Sequence, residues 1–267
     1  MKSAPSNTPQ PQRLAHLREW FRLTVRAWWA DKADEQLLNE TRLDCYRSNV
    51  RELPEAIGCM SRLEWLNLNF NPVEHLPDAI GELARLEILQ LSEAKLTRLP
   101  ESIGKLKRLL FLRIDDSGLP VLPESIGDLS ALIKLQISGN RIETLPDSMA
   151  RLTQLEYVDL SDNPLTELPE FVGAWRNLQY LNVRGTGLTR LPDSLGELKH
   201  LRRLDCDTGK IENVPALAFY NQFEHRLTCP QFFWTRNWGK QTCLRKEREM
   251  LNESEVGGVA LGALQRA

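Results

Sequence analysis

Through most of the chain the apolar positions fall on a fixed beat. The stretch LEYVDLSDNPLTELP carries them at Leu155, Val158, Leu160, Leu165 and Leu168, and the same spacing returns every 23 residues. Leu-Pro pairs begin at Leu53, Leu76, Leu99, Leu122, Leu145, Leu168 and Leu191, and Val214-Pro215 ends the series without a residue gained or lost. Each unit divides in two. Around Tyr157 to Ser161 apolar and polar residues alternate, which predicts a short strand with one face in the core. Around Leu122 to Leu129 a Leu-Pro pair precedes Ile126 and Leu129, three apart, which predicts a short helix or 3₁₀ turn. Units this small bury their apolar faces only against neighbours, so the pattern predicts one continuous solenoid.

Stacked strands sit about 4.8 Å apart while helices need about 10 Å, so the stack must curve with its strands on the concave side. The unit resembles the 23-residue form of the leucine-rich repeat, L-P-x-x-I-G-x-L-x-x-L-x-x-L-x-L-x-x-N-x-L. Seven copies match between residues 53 and 215, and a degenerate one precedes them at Leu43, Cys45 and Val50. The resemblance implies an α/β fold. It is a right-handed superhelical solenoid with a parallel concave β-sheet, short helices or 3₁₀ turns on the convex side, and a helical N-terminal cap. It also implies that the Asn of each unit bonds buried backbone between strand and return. That column reads Ser48, Asn71, Ala94, Ser117, Asn140, Asn163, Thr186 and Gly209. Ser and Thr can replace part of the bonding, but Ala94 and Gly209 cannot.

Four segments are expected. Residues 1–12, rich in Ser, Pro, Asn and Gln, should be disordered. Residues 13–42 should form the cap, a helix to about Ala30 with an apolar stripe of Leu14, Leu17, Phe21, Val25 and Trp28, then a short helix near Asp34 to Asn39. Arg18, Arg22 and Arg26 beside the stripe open a second reading, a membrane-surface helix. Residues 43–215 form the array. Residues 216–267 hold seven aromatics and suit a C-terminal cap and tail, or else a docking surface of their own.

A net charge of -2 argues against a general nucleic-acid binder, which would need a basic face. No apolar run reaches the length of a membrane span, and the first residues show no secretory signal. Five cysteines do not suggest a disulfide framework. Cys45 and Cys206 share the register of core leucines, so a reducing, cytoplasmic setting is expected. No phosphate loop, nucleophile elbow or paired zinc motif is present. His225, Cys229 and Cys243 lack a fourth ligand and regular spacing. Neither an enzyme nor a cofactor is expected. A ubiquitin-ligase domain, which follows the repeats in some bacterial leucine-rich repeat effectors, would not fit in residues 216–267.

The concave columns point to a protein partner. The first reads Arg42, Trp65, Ile88, Phe111, Lys134, Tyr157, Tyr180 and Arg203, half of it aromatic against 7% of the chain. Aromatics and arginine are the residues that most often dominate binding energy. The next, with Asn67, Gln90, Arg113, Gln136, Asp159 and Asn182, is polar and suited to orienting that partner. The competing reading is that the rings simply pack across adjacent strands. A monomeric, non-catalytic binding module is therefore expected. The repeat is similar both to intracellular leucine-rich repeat proteins that bind Ras-like GTPases and to type III secretion effectors. A polar start, a Trp-bearing cap and the lack of a fused signalling domain favour the effector, exported into a host cell without a cleaved signal.

Overall fold

The 23-residue beat becomes the register of a sheet. In the computed structural model, which describes residues 10–25, 27–207 and 209–212, eight three-residue strands pair in parallel in chain order. They are β1 (Arg42–Asp44), β2 (Trp65–Asn67), β3 (Ile88–Gln90), β4 (Phe111–Arg113), β5 (Lys134–Gln136), β6 (Tyr157–Asp159), β7 (Tyr180–Asn182) and β8 (Arg203–Asp205). Every residue pairs with the one 23 positions on, as in Arg42 with Trp65 and Tyr157 with Tyr180. The middle residue of each strand points into the core, and Leu66, Leu89, Leu112, Leu135, Val158 and Leu181 are all buried. Of the expected five-residue strand from Tyr157 to Ser161 only Tyr157–Asp159 is strand, and a turn begins at Ser161.

The return side consists of 3₁₀ turns, from Glu55–Cys59 to Asp193–Glu197. In each, proline sits just before the turn with extended backbone, where its missing N–H is not needed. Backbones then approach closely. A Cβ on Gly104 would lie 2.6 Å from the carbonyl oxygen of Ser125 in the next repeat, so only glycine fits.

The N-terminal segment breaks where one helix to Ala30 was expected. It forms α1 (Gln10–Trp20), a π-helical stretch (Phe21–Val25), α2 (Ala27–Ala30) and α3 (Asp34–Asn39). Leu17, Trp20, Phe21, Trp29 and Leu37 join the same core cluster as Leu43 and Val50 of the first repeat. Trp20 donates its indole N–H to the Glu52 carbonyl at 2.8 Å. Arg13 reaches the Glu55 carbonyl at 3.1 Å and Glu82 at 2.7 Å. Arg18 is bound to Asp34 and Arg22 to Glu19. Leu14, Leu17 and Phe21 of the apolar stripe are thus covered by the protein itself and Val25 partly so, which is the arrangement of a cap. Arg26 and the Trp28 side chain lie outside the described residues, as do residues 1–9 and the expected C-terminal cap.

The Asn column behaves as its chemistry requires. Asn140 Oδ1 accepts the amides of Ser117 (3.2 Å) and Leu119 (3.0 Å), and its Nδ2 donates to the carbonyls of Ile114, Ile137 and Ser138. Asn71 and Asn163 do the same work in their turns. Ser117 covers part of it, taking the Ala94 amide and donating to the Leu91 carbonyl. Ala94 has no group to offer. Cys45 is fully buried, and desolvation pushes its thiol up to about 12, so it acts as a small apolar side chain. Cys206 is half-buried against the same core.

Candidate functional site

The column that opens each strand forms a ladder of rings and cations across the sheet. The Arg42 guanidinium lies 4.8 Å from the Trp65 ring centre. Lys134 sits between two rings, with its ammonium 4.4 Å from Phe111 and 5.1 Å from Tyr157. Tyr157 and Tyr180 stack at 4.4 Å and 20°. Arg203 closes the ladder 5.4 Å from the Tyr180 ring. The spacing follows from parallel pairing, which brings residues 23 apart side by side.

Burial divides this ladder. Trp65, Ile88, Phe111 and Lys134 are buried, Phe111 completely. Tyr157, Tyr180 and Arg203 keep part of their surface. For the first group the expectation of an open aromatic strip is corrected, because those side chains are covered. Cross-strand ring and cation contacts take part in that packing. In the second column Asn67 and Gln90 are buried, while Arg113, Gln136, Asp159 and Asn182 are partly exposed.

The accessible end is held by polar bonds. Tyr180 donates its hydroxyl to Asp205 at 2.9 Å, and the same carboxylate receives Arg203 Nε at 2.9 Å. Asp159 accepts the Ser161 amide at 3.1 Å and hydroxyl at 2.6 Å. Asp115, bound by Arg113 at 2.7 Å, takes the Ser138 amide and hydroxyl from the next repeat. Burial raises the Asp159 carboxyl above its ordinary range despite the Ser161 bonds. Both tyrosine hydroxyls are pushed up, chiefly by burial and secondly by nearby Asp159 for Tyr157 and by Tyr157 for Tyr180. Both phenols stay protonated at neutral pH, and that of Tyr180 serves as a donor to Asp205.

Among the described residues no group of three or more His, Cys, Asp and Glu side chains is placed to hold a metal ion, and no helix is long and apolar enough to cross a membrane. His225, Cys229 and Cys243 lie outside them. A group outside the columns escaped the sequence reading. Tyr46, Arg47 and Phe70 cluster on the turns leaving β1 and β2, with both rings exposed. The signal was present: Phe70 stands where later repeats have Glu93, Asp116, Gly139 and Asp162.

The sequence matches the family described as Leucine-rich repeat region over residues 38–121 and 148–222, and that described as Leucine rich repeat over residues 120–165. No curated protein matches it. Among solved structures it is similar to a leucine-rich repeat protein of Leptospira interrogans, at 30% identity and a TM-score of 0.62 over 66% of this chain and 44% of that one. It is also similar to the ectodomain of the receptor kinase GASSHO1/SCHENGEN3 from Arabidopsis thaliana, solved in complex with CASPARIAN STRIP INTEGRITY FACTOR 2. There the identity is 31% and the TM-score 0.55, over 58% of this chain and 20% of that one. The Arabidopsis receptor kinase HAESA, in complex with the peptide hormone IDA and the co-receptor SERK1, gives 25% and 0.53 over 58% and 28%. The chain spans less than half the length of each.

Proposed function

The chain belongs to the leucine-rich repeat family, and from that premise we propose a non-catalytic module that binds a partner protein through its concave face. The contact centres on Tyr157, Tyr180 and Arg203, with Asp159 and Asn182 fixing the partner's orientation. One observation carries this reading. The stacked tyrosine pair keeps solvent-accessible surface, and the Tyr180 hydroxyl is tied to Asp205, which Arg203 holds in turn. Rigid aromatics beside arginine are well suited to dominate binding energy, because little side-chain entropy remains to be lost. The similar plant receptors, one solved with CASPARIAN STRIP INTEGRITY FACTOR 2 and the other with the peptide hormone IDA and the co-receptor SERK1, support a binding role for this scaffold.

The setting proposed with it is an exported bacterial effector that acts on a host protein, supported by the Leptospira relative and by the polar N-terminus. The test begins with a pull-down that identifies a stoichiometric partner, followed by titration of variants. Tyr157→Ala and Tyr180→Ala should each weaken binding roughly thirty-fold. Glu124→Ala, an exposed residue on the convex side, should leave affinity unchanged. Circular dichroism establishes that each variant is folded. If both tyrosine variants bind like wild type, the concave-face reading fails.

A further inference from the structure

Four large apolar side chains stand exposed among the described residues, and two of them, Tyr46 and Phe70, pack on each other. Their rings meet edge to face at 5.3 Å. Arg47 lies over both, 5.4 Å from the Tyr46 ring centre and 4.8 Å from that of Phe70. Its guanidinium forms no ion pair or hydrogen bond with a described residue. The three sit at the sheet edge where strands hand over to turns, away from the tyrosine pair on β6 and β7.

Backbone conformation makes Phe70 the unusual member. Its φ is +59°, and the equivalent positions Arg47, Glu93, Asp116, Gly139, Asp162 and Gly185 are left-handed as well. The repeat therefore demands this conformation in each turn. Glycine adopts it freely and aspartate tolerates it, but a bulky aromatic is the least suited of these residues. An exposed ring recovers little of that strain by burial. Stability does not account for Phe70, and strained residues of this kind cluster at functional sites.

The edge is also polarised. Arg47 supplies positive charge at its start, while Glu93 and Asp116 supply negative charge two and three strands further on. Burial first, and then the neighbouring Glu93, Asp115 and Asp162, raise the Asp116 carboxyl. Strands about 4.8 Å apart put these carboxylates roughly 10 and 14 Å from Arg47, which an extended chain covers in about three to four residues.

We propose that this edge docks an extended protein segment bearing an acidic residue next to a large apolar one, with a basic residue three or four positions further along. The apolar side chain packs on Tyr46 and Phe70, the acid pairs with Arg47, and the base meets Glu93 or Asp116. The site is separate from the concave-face contact, and neither depends on the other.

The probe is a displayed library of random short linear peptides, selected on the full chain at low salt. The acidic–apolar–spacer–basic order should be enriched, and a synthetic peptide of that consensus then serves for titration. Phe70→Gly should weaken it roughly thirty-fold while the melting temperature holds or rises, since glycine relieves the backbone. Arg47→Glu should shift preference to a peptide with lysine in place of the acid. Tyr180→Ala should leave affinity unchanged. The proposal is overturned if no such order is enriched. It is equally overturned if Phe70→Gly lowers the melting temperature and binds normally, or if Tyr180→Ala weakens the peptide as much as Phe70→Gly does.

Discussion

The convex turns and the concave sheet solve the same stacking problem by different means. On the convex side, backbone meets backbone. A Cβ on Gly81 would lie 2.5 Å from the Ser102 carbonyl oxygen, and Gly104 stands in the same relation to Ser125. Carboxylates then tie one repeat to the next. Glu55 accepts the Ala79 amide, Glu101 the Ser125 amide, and Glu170 the amides of Asp193 and Ser194. On the concave side the backbones pair at strand spacing, and the exposed surface is made by side chains, with each strand contributing a ring, a cation or an aliphatic group. A surface built from backbone contact tolerates little variation, whereas one built from side chains can specialise. The exception supports the rule. Where Ala150 replaces the convex glycine, Phe171 replaces the following serine, packs edge-on against Trp175 at 5.9 Å, and the turn is rebuilt with larger groups.

The largest expected effect comes from the layer that both sides share. Leu112, fully buried on β4, should cost about 2–5 kcal/mol as Leu112→Ala. Coupling between repeats is nearest-neighbour, so a broadened or split urea transition should accompany the loss. A midpoint equal to wild type would sink the assigned register.

Two glycine variants sharpen the contrast on the convex side. Gly104→Ala forces neighbouring backbones apart and should cost about 1–3 kcal/mol in chemical denaturation. Gly196→Ala, whose Cβ meets no described atom within 4 Å, should be neutral or stabilising by up to about 1 kcal/mol. Equal effects at the two sites would remove close approach as the reason for the glycines.

At the seam between the two sides, Asn140→Ala strands the Ser117 and Leu119 amides in the core and should cost about 1–3 kcal/mol. Ser117→Ala, which removes a smaller set of bonds, should cost less. If Ser117→Ala proved the worse of the two, the bond assignments in these turns would be mistaken.

The smallest effect is electrostatic and lies on the concave face. Asp159 has a carboxyl raised by burial, so the folded state holds its proton more tightly than the unfolded chain does. Its favourable contribution is fully present below the unfolded value of about 4 and is lost as pH rises through the folded one. Asp159→Asn keeps an acceptor for Ser161 and should therefore raise stability at neutral pH. The gain should vanish when melting is repeated below about pH 4. A gain of the same size in acid would show that charge is not its source.

The sequence by itself determined the array, because a repeat that never gains or loses a residue allows only one register. Leu155, Val158 and Leu160 could be assigned to the core from their spacing alone, and the serine, threonine and alanine substitutions in the Asn column marked the incomplete turns. Tertiary structure decided everything that depends on which side chain covers which. Trp65 and Tyr180 share a column and a chemical type, yet one is buried and the other half-exposed. The break after Trp20 was likewise invisible to a helical stripe, since Phe21, Trp29 and Leu37 must all reach the same core. Phe70 shows the limit most sharply. Its place in the repeat was countable, but its left-handed backbone and its contact with Tyr46 and Arg47 arise only when turns 23 residues apart are stacked side by side.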